Sequence, residues 1–264
     1  MNYFDDENII IEHFQGVKCS SVFFVNETDQ AISIFEAIHD VEEWKQWINS
    51  SKKSDPPPDF YCERYKIMMD VMRVDDHSFI NDKNRVVNPT NMKESKIQAE
   101  IKASGILDSF PNVNRLIVNA KTELTTEEDH NYKFYKDNFI RTVKQHRSKI
   151  AQYKVNHPNY KVIFFILDES SAYFQAQNDI VDVEDALNSN VIFKGKPHFH
   201  FWDKEFIEEL MVDNLDLVIW YTPFKLLRTD EGRFDLPEVC IYDTKGSAID
   251  LKKYNDKMIV SSEK

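Results

Sequence analysis

Glycine is scarce in this chain, with five among 264 residues. That scarcity excludes glycine-rich phosphate cradles: the sequence has no G-x-x-x-x-G-K-[ST], no G-x-G-x-x-G and no G-x-S-x-G. Cysteine is equally sparse. Cys19, Cys62 and Cys240 lie far apart, an odd set that argues against a disulfide framework and against a zinc cluster. The expectation is a cytoplasmic protein whose thiols are reduced and buried. No apolar run approaches the ~20 residues of a membrane helix. The opening "MNYFDDENII" has an acidic flank where a secretory leader has a basic one. No membrane association is therefore expected. Positive charge is the minority, and a net charge of −12 argues against a general nucleic-acid binder.

What the chain does contain is enough apolar material for a sizeable core, at 42% hydrophobic residues, and a well-charged surface, at 30%. Its length suits one large domain or two small ones. The charge is uneven. Residues 133 to 161 carry eight Lys and Arg against Asp137 alone, a local +7 that leaves −19 for the rest. Two readings stay open for this segment: a phosphate-binding face beside an acidic site, or a solvated helix face paired with acidic neighbours.

Periodicity divides the chain. "TDQAISIFEAIHDVEEWKQWIN" has Thr28 as an N-cap and apolar residues at helical spacing. "SSKKSDPPPDF" breaks it, because three consecutive prolines stop a helix. "FYCERYKIMMDVMRVDD" reads as one or two strands, "HSFINDKNRVVNPTN" as turns, and "MKESKIQAEIKAS" as a helix closed by Gly105. A strand is expected at "RLIVNAKTEL", where Asn119, Lys121 and Glu123 share one face. A basic helix from about Tyr135 to Val155 follows, with Phe139, Val143, His146, Ile150 and Tyr153 as its apolar stripe. "KVIFFILDES" is then a continuous apolar strand, so strand, helix and strand predict a βαβ unit in a two-sided parallel sheet. Asp168 to Ser170 end that strand, where α/β proteins place ligands. His198 and His200 share a strand face, but no third ligand stands nearby in sequence, and packing is the expected role. The fold class expected is α/β (mixed α+β), with 1–54 as a strand and helix segment packed on the core, 55–175 as the core, and 176–264 as a C-terminal extension of the same domain.

Pro58-Asp59, a spacer, and Asp70 near the end of an apolar strand resemble the PD-(D/E)XK nuclease superfamily. Its pattern is Pro-Asp, a spacer, then an acid, any residue and lysine. Met72 occupies the lysine position here. A second register fits the order of elements: Asp70 as the first acid, Asn119 in the second acid's place and Lys121 as the lysine, with Glu123 on the same face and Glu63 as an additional acid. The resemblance covers roughly residues 55 to 170. It implies a restriction-endonuclease-like mixed central sheet flanked by helices, with extra C-terminal elements. It also implies a metal-dependent DNA endonuclease or exonuclease, in a restriction, phage-defence or mobile-element setting. Asp59 and Asp70 would hold Mg²⁺ or Mn²⁺, and Lys121 would be the catalytic cation. Arg141, Lys144, Gln145 and Arg147 of the basic helix would touch DNA phosphates. Two other expectations stand beside it: a nuclease-like binding or assembly subunit without catalysis, working with a protein partner or as a homodimer, and an acidic inhibitor that binds a basic partner.

Overall fold

The computed structural model describes residues 6–51, 58–76, 78–105, 132–170, 172–176, 196–198, 203–224, 226–229, 232–235, 237–246 and 259–261. Its centre is a seven-stranded mixed sheet with helices on both faces. The strands are β1 (Val22–Phe24), β2 (Ile48–Asn49), β3 (Phe60–Cys62), β4 (Ile67–Val74), β7 (Lys161–Asp168), β10 (Leu217–Tyr221) and β13 (Val239–Asp243). Between these in sequence lie β5 (Phe79–Ile80), β6 (Val86–Val87), β8 (Ala172–Ala176), β9 (Lys196–His198), β11 (Leu226–Thr229) and β12 (Gly232–Asp235), with β14 (Ile259–Ser261) at the end. They form two hairpins and a three-stranded sheet of their own.

The order across the main sheet is β1-β13-β10-β7-β4-β3-β2. β10, β7 and β4 run parallel, while β2, β3 and β4 form an antiparallel meander. β10 and β13 therefore bring the last third of the chain into the interior of the sheet, and β1 closes it from the N-terminal segment. The continuous apolar run of β7 has a simple cause: both of its faces are covered. Ile163, Phe165 and Leu167 pack on one side, and Val162, Phe164 and Ile166 on the other.

The first face is covered by α1 (Glu7–Gln15) and α2 (Asp29–His39), through Ile10, Ile11, Phe14, Ile34, Phe35 and Ile38. Thr28 caps α2 by accepting the Ala31 N–H, as its sequence position predicts. Asp40 then caps the short α3 (Val41–Trp44) by accepting from Glu42 and Glu43. The helix α4 (Pro89–Ala103) ends before Gly105, whose φ of 68° is the left-handed conformation that closes a helix cheaply only in glycine.

The opposite face is covered by α5 (Tyr132–Asn156) and α6 (Lys204–Leu210). Phe139, Val143, Ile150 and Tyr153 of α5 are buried against β4 and β7. Each such side chain contributes about 1.5–3 kcal/mol of burial. α5 leads into β7, and the parallel neighbour on the N-terminal side of that crossover is β4. The other flank of β7 is held by β10. The strand expected at 115–124 lies outside the described residues.

Candidate active site

β3 and β4 pair with Phe60 opposite Met69, Tyr61 opposite Met68 and Cys62 opposite Ile67. One step further along the same register sets Asp59 opposite Asp70. Directly opposed residues of an antiparallel pair project from the same face, with Cβ atoms about 4.5–5.5 Å apart. That face is the one covered by α5, because Tyr61, Met68 and Met72 all pack there. The Pro-Asp element and the later acid, residues 58 to 70 of the sequence, thus become neighbours through one tight meander.

Asp59 immediately precedes β3. Its Oδ2 accepts the Val71 N–H at 2.8 Å, so the side chain extends the edge of β4 past the last β3 rung. Behind it, Ser50 fixes the backbone: its N–H donates to the Asp59 carbonyl at 2.8 Å, and its hydroxyl donates to the Pro58 carbonyl at 2.5 Å. Asp70 lies deeper, 3% exposed, under α5. Two α5 side chains reach the same carboxylate oxygen. His146 Nδ1 lies 2.5 Å from Asp70 Oδ2, and the Tyr153 hydroxyl donates to Oδ2 at 3.1 Å. A carboxylate offers only lone pairs, so the Nδ1 facing it carries the hydrogen. The seven-residue spacing of His146 and Tyr153 is two helical turns, which puts both on one face of α5.

The two carboxyls act on each other. Burial, and then the charge of Asp70, push the Asp59 carboxyl up from its ordinary 3.8 to about 7, against the lowering effect of the Val71 hydrogen bond. A smaller push comes from Glu7, at the start of α1. Burial and then the Asp70 charge also hold the Tyr153 hydroxyl well above its usual value, so it stays a donor. Two close acids that resist ionising together need either a shared proton or a cation between them.

Mg²⁺ and Mn²⁺ are hard ions that take oxygen ligands. They are commonly held by one or two carboxylates plus waters and substrate phosphates. The Asp59 and Asp70 pair fits that donor set, and the raised proton affinity of Asp59 marks charge that a divalent ion would neutralise. Among the described residues no group of three or more His, Cys, Asp and Glu is gathered for a metal. A cation here would rest on these two carboxylates.

The other expected site residues fall in different places. Glu63 is in the exposed turn between β3 and β4, at the far end of β3 from Asp59. At ~3.3 Å per residue that is about 13 Å away, so it is not brought to the pair. Asn119, Lys121 and Glu123 lie outside the described residues, as does His200. Met72, in the family's lysine position, is 2% exposed and packed in the core beneath α5. Arg141 donates to the Asn138 side chain. Lys144 Nζ lies 3.2 Å from Glu209 Oε1, and Arg147 Nη1 donates to Glu209 Oε2 at 2.9 Å and to its carbonyl at 3.0 Å. Lys136 pairs with Glu205. One side of the basic helix is thus matched by the acids of α6, whereas Gln145 and Lys149 are exposed.

The Asp168–Ser170 segment is not brought to the pair. Asp168 is level with Val74 on β4, four positions beyond the Asp70 level. It is fully buried. Its Oδ2 accepts from the Tyr135 hydroxyl at 2.9 Å and from the Trp220 indole at 3.1 Å, and its Oδ1 accepts from the Ser170 N–H at 2.9 Å and hydroxyl at 2.5 Å. Glu169 pairs with Arg73 in fork geometry, at 2.5 Å to Nη2 and 3.0 Å to Nε.

Periodicity alone assigned His146 and Tyr153 to the apolar stripe. The signal that sets them apart is chemical: in a stripe of Phe, Val and Ile they are the two members with polar tips. Comparisons with protein families, with curated proteins and with solved structures gave no match for this chain.

Proposed function

We propose that this chain is a metal-dependent phosphodiesterase acting on DNA, with Asp59 and Asp70 as its metal-binding carboxylates. The observation that carries this reading is the cross-strand juxtaposition of the two acids, with Asp59 pushed up to about 7 beside Asp70. A divalent cation bound there would neutralise phosphate charge and lower the pKa of a bound water. The chain's own part is to present two oxygens from one rigid meander, with Asp59 fixed by Val71 and Ser50. The exposed Gln145 and Lys149 of α5 offer phosphate contacts, and Lys144 and Arg147 join them when phosphates compete with Glu209.

A second reading, a nuclease-like binding subunit without catalysis, is favoured by one observation: the buried Met72 stands where the family has lysine. The test is cleavage of supercoiled and linear DNA by the purified protein with Mg²⁺ or Mn²⁺, beside Asp59→Asn and Asp70→Asn. The first reading expects metal-dependent cleavage that both substitutions abolish. DNA binding without cleavage supports the second, and cleavage that survives both substitutions overturns the site.

A further inference from the structure

Asp70 reaches the sheet surface at a position where β4 alone would leave its carboxylate free to rotate about χ1 and χ2. It is instead gripped at one oxygen by two donors from a different element: the His146 imidazole at 2.5 Å and the Tyr153 hydroxyl at 3.1 Å. Both donors are anchored. Tyr153 is 2% exposed and packed in the core, and the His146 ring meets Phe164 edge-on at 6.4 Å between centroids. Between them Ile150 is fully buried, so this stretch of α5 is fixed against the sheet.

With Oδ2 engaged by two donors from α5, the carboxyl group is held in place while it acts on Asp59 across the strand pair. We infer that His146 and Tyr153 are positioning residues: donors from α5 that hold the Asp70 carboxylate in the orientation needed to ligate a divalent cation together with Asp59. This rests on the proposed metal-dependent reading. A histidine in this role touches neither metal nor substrate. It acts through the ligand, and outer hydrogen-bond partners of this kind typically change metal affinity by ~10–100-fold when removed. The arrangement also ties ligand geometry to the helix that carries the basic residues, since Lys144 and Arg147 flank His146 on the same two turns.

The experiment measures Mn²⁺ affinity by calorimetry on the full chain, with thermal unfolding of the metal-free proteins alongside. Three variants are compared with the parent: His146→Leu, which keeps bulk and loses the donor; His146→Asn, whose amide restores a donor near the Nδ1 position; and Tyr153→Phe, which loses one hydroxyl and keeps its packing. The expected result is a loss of about 10–100-fold in Mn²⁺ affinity for His146→Leu. Recovery of most of that loss is expected in His146→Asn, with a several-fold loss in Tyr153→Phe. In the cleavage assay the Mn²⁺ concentration for half-maximal rate should rise by the same factors, with kcat at saturating Mn²⁺ retained. Parent-like Mn²⁺ affinity in His146→Leu overturns the inference, and so does failure of His146→Asn to exceed His146→Leu. If His146→Leu does not fold, parent-like Mn²⁺ affinity in Tyr153→Phe overturns it. A parent protein that binds no Mn²⁺ overturns the metal-dependent reading itself, and the positioning role with it.

Discussion

Two buried aspartates lie under the same helix, on the same face of adjacent parallel strands, and their surroundings differ in kind. Asp168 on β7 meets a tyrosine hydroxyl, an indole N–H, and the hydroxyl and backbone N–H of Ser170. These donors do not change charge near neutral pH, and Asp168 is sealed from solvent. Asp70 on β4 meets a histidine, a tyrosine and a second carboxyl, and its histidine partner is 18% exposed. The donors of the first arrangement keep one anion inside the protein. The second leaves a charge imbalance beside a route to water. Burial of an acid is common to both; Asp70 has a second carboxyl, Asp59, directly opposite it, and its charge helps to push that carboxyl up to about 7.

The largest effect should separate the two by stability. Asp168→Ala strands several buried donors at once, each costing about 1–3 kcal/mol. We expect a loss of about 3 kcal/mol or more in urea unfolding, with Mn²⁺ affinity retained by the folded fraction. Asp70→Asn should reverse the pattern. Mn²⁺ binding should fall beyond calorimetric detection, while stability changes by about 1 kcal/mol, because an amide oxygen still accepts from α5 and repulsion from Asp59 is relieved. Equal stability losses in the two variants would erase the distinction.

The pH dependence is the next effect. Asp59 takes its proton at about 7 in the folded protein and at an ordinary 3.8 when unfolded. Between those values the folded state holds a proton that the unfolded chain has released. The stability from that proton is complete below about pH 4 and is lost as pH rises through about 7. Unfolding free energy should therefore fall over that window in the parent, Asp59→Asn should remove that contribution, and Asp168→Asn should retain it. The smallest effect concerns the basic helix. Glu209→Gln removes the carboxylate charge that pairs with Lys144 and Arg147, and a few-fold gain in DNA affinity at low salt is expected, shrinking as salt rises, with Mn²⁺ affinity unchanged. An unchanged DNA affinity would assign those cations to helix packing alone.

The parts legible in the sequence are those with local causes. The Thr28 cap, the Gly105 closure, the β7 run and the α5 stripe each follow from periodicity or backbone chemistry, and the mixed sheet with helices on both faces follows from their order. Asp59 and Asp70 were visible as a spaced pair, because one short meander can bring such residues together. The partner of β7 was not legible: periodicity marks a buried strand without naming its neighbour, and the neighbour is β4. The same limit hid the contribution of β10 and β13 to the middle of the sheet. His146 and Tyr153 escaped notice because an amphipathic count scores the bodies of these side chains and ignores their polar tips.

The central claim is that Asp59 and Asp70 form one site that takes either a proton or a divalent cation. Metal ligands must be deprotonated, so metal binding here has to release a proton wherever Asp59 still holds one. Calorimetry of Mn²⁺ binding in buffers of different ionisation enthalpy measures that release directly. Close to one proton should be released per Mn²⁺ at about pH 6, little at about pH 8, and Asp70→Asn should not bind. Binding that releases no proton at the lower pH, or that persists unchanged in Asp70→Asn, would contradict it.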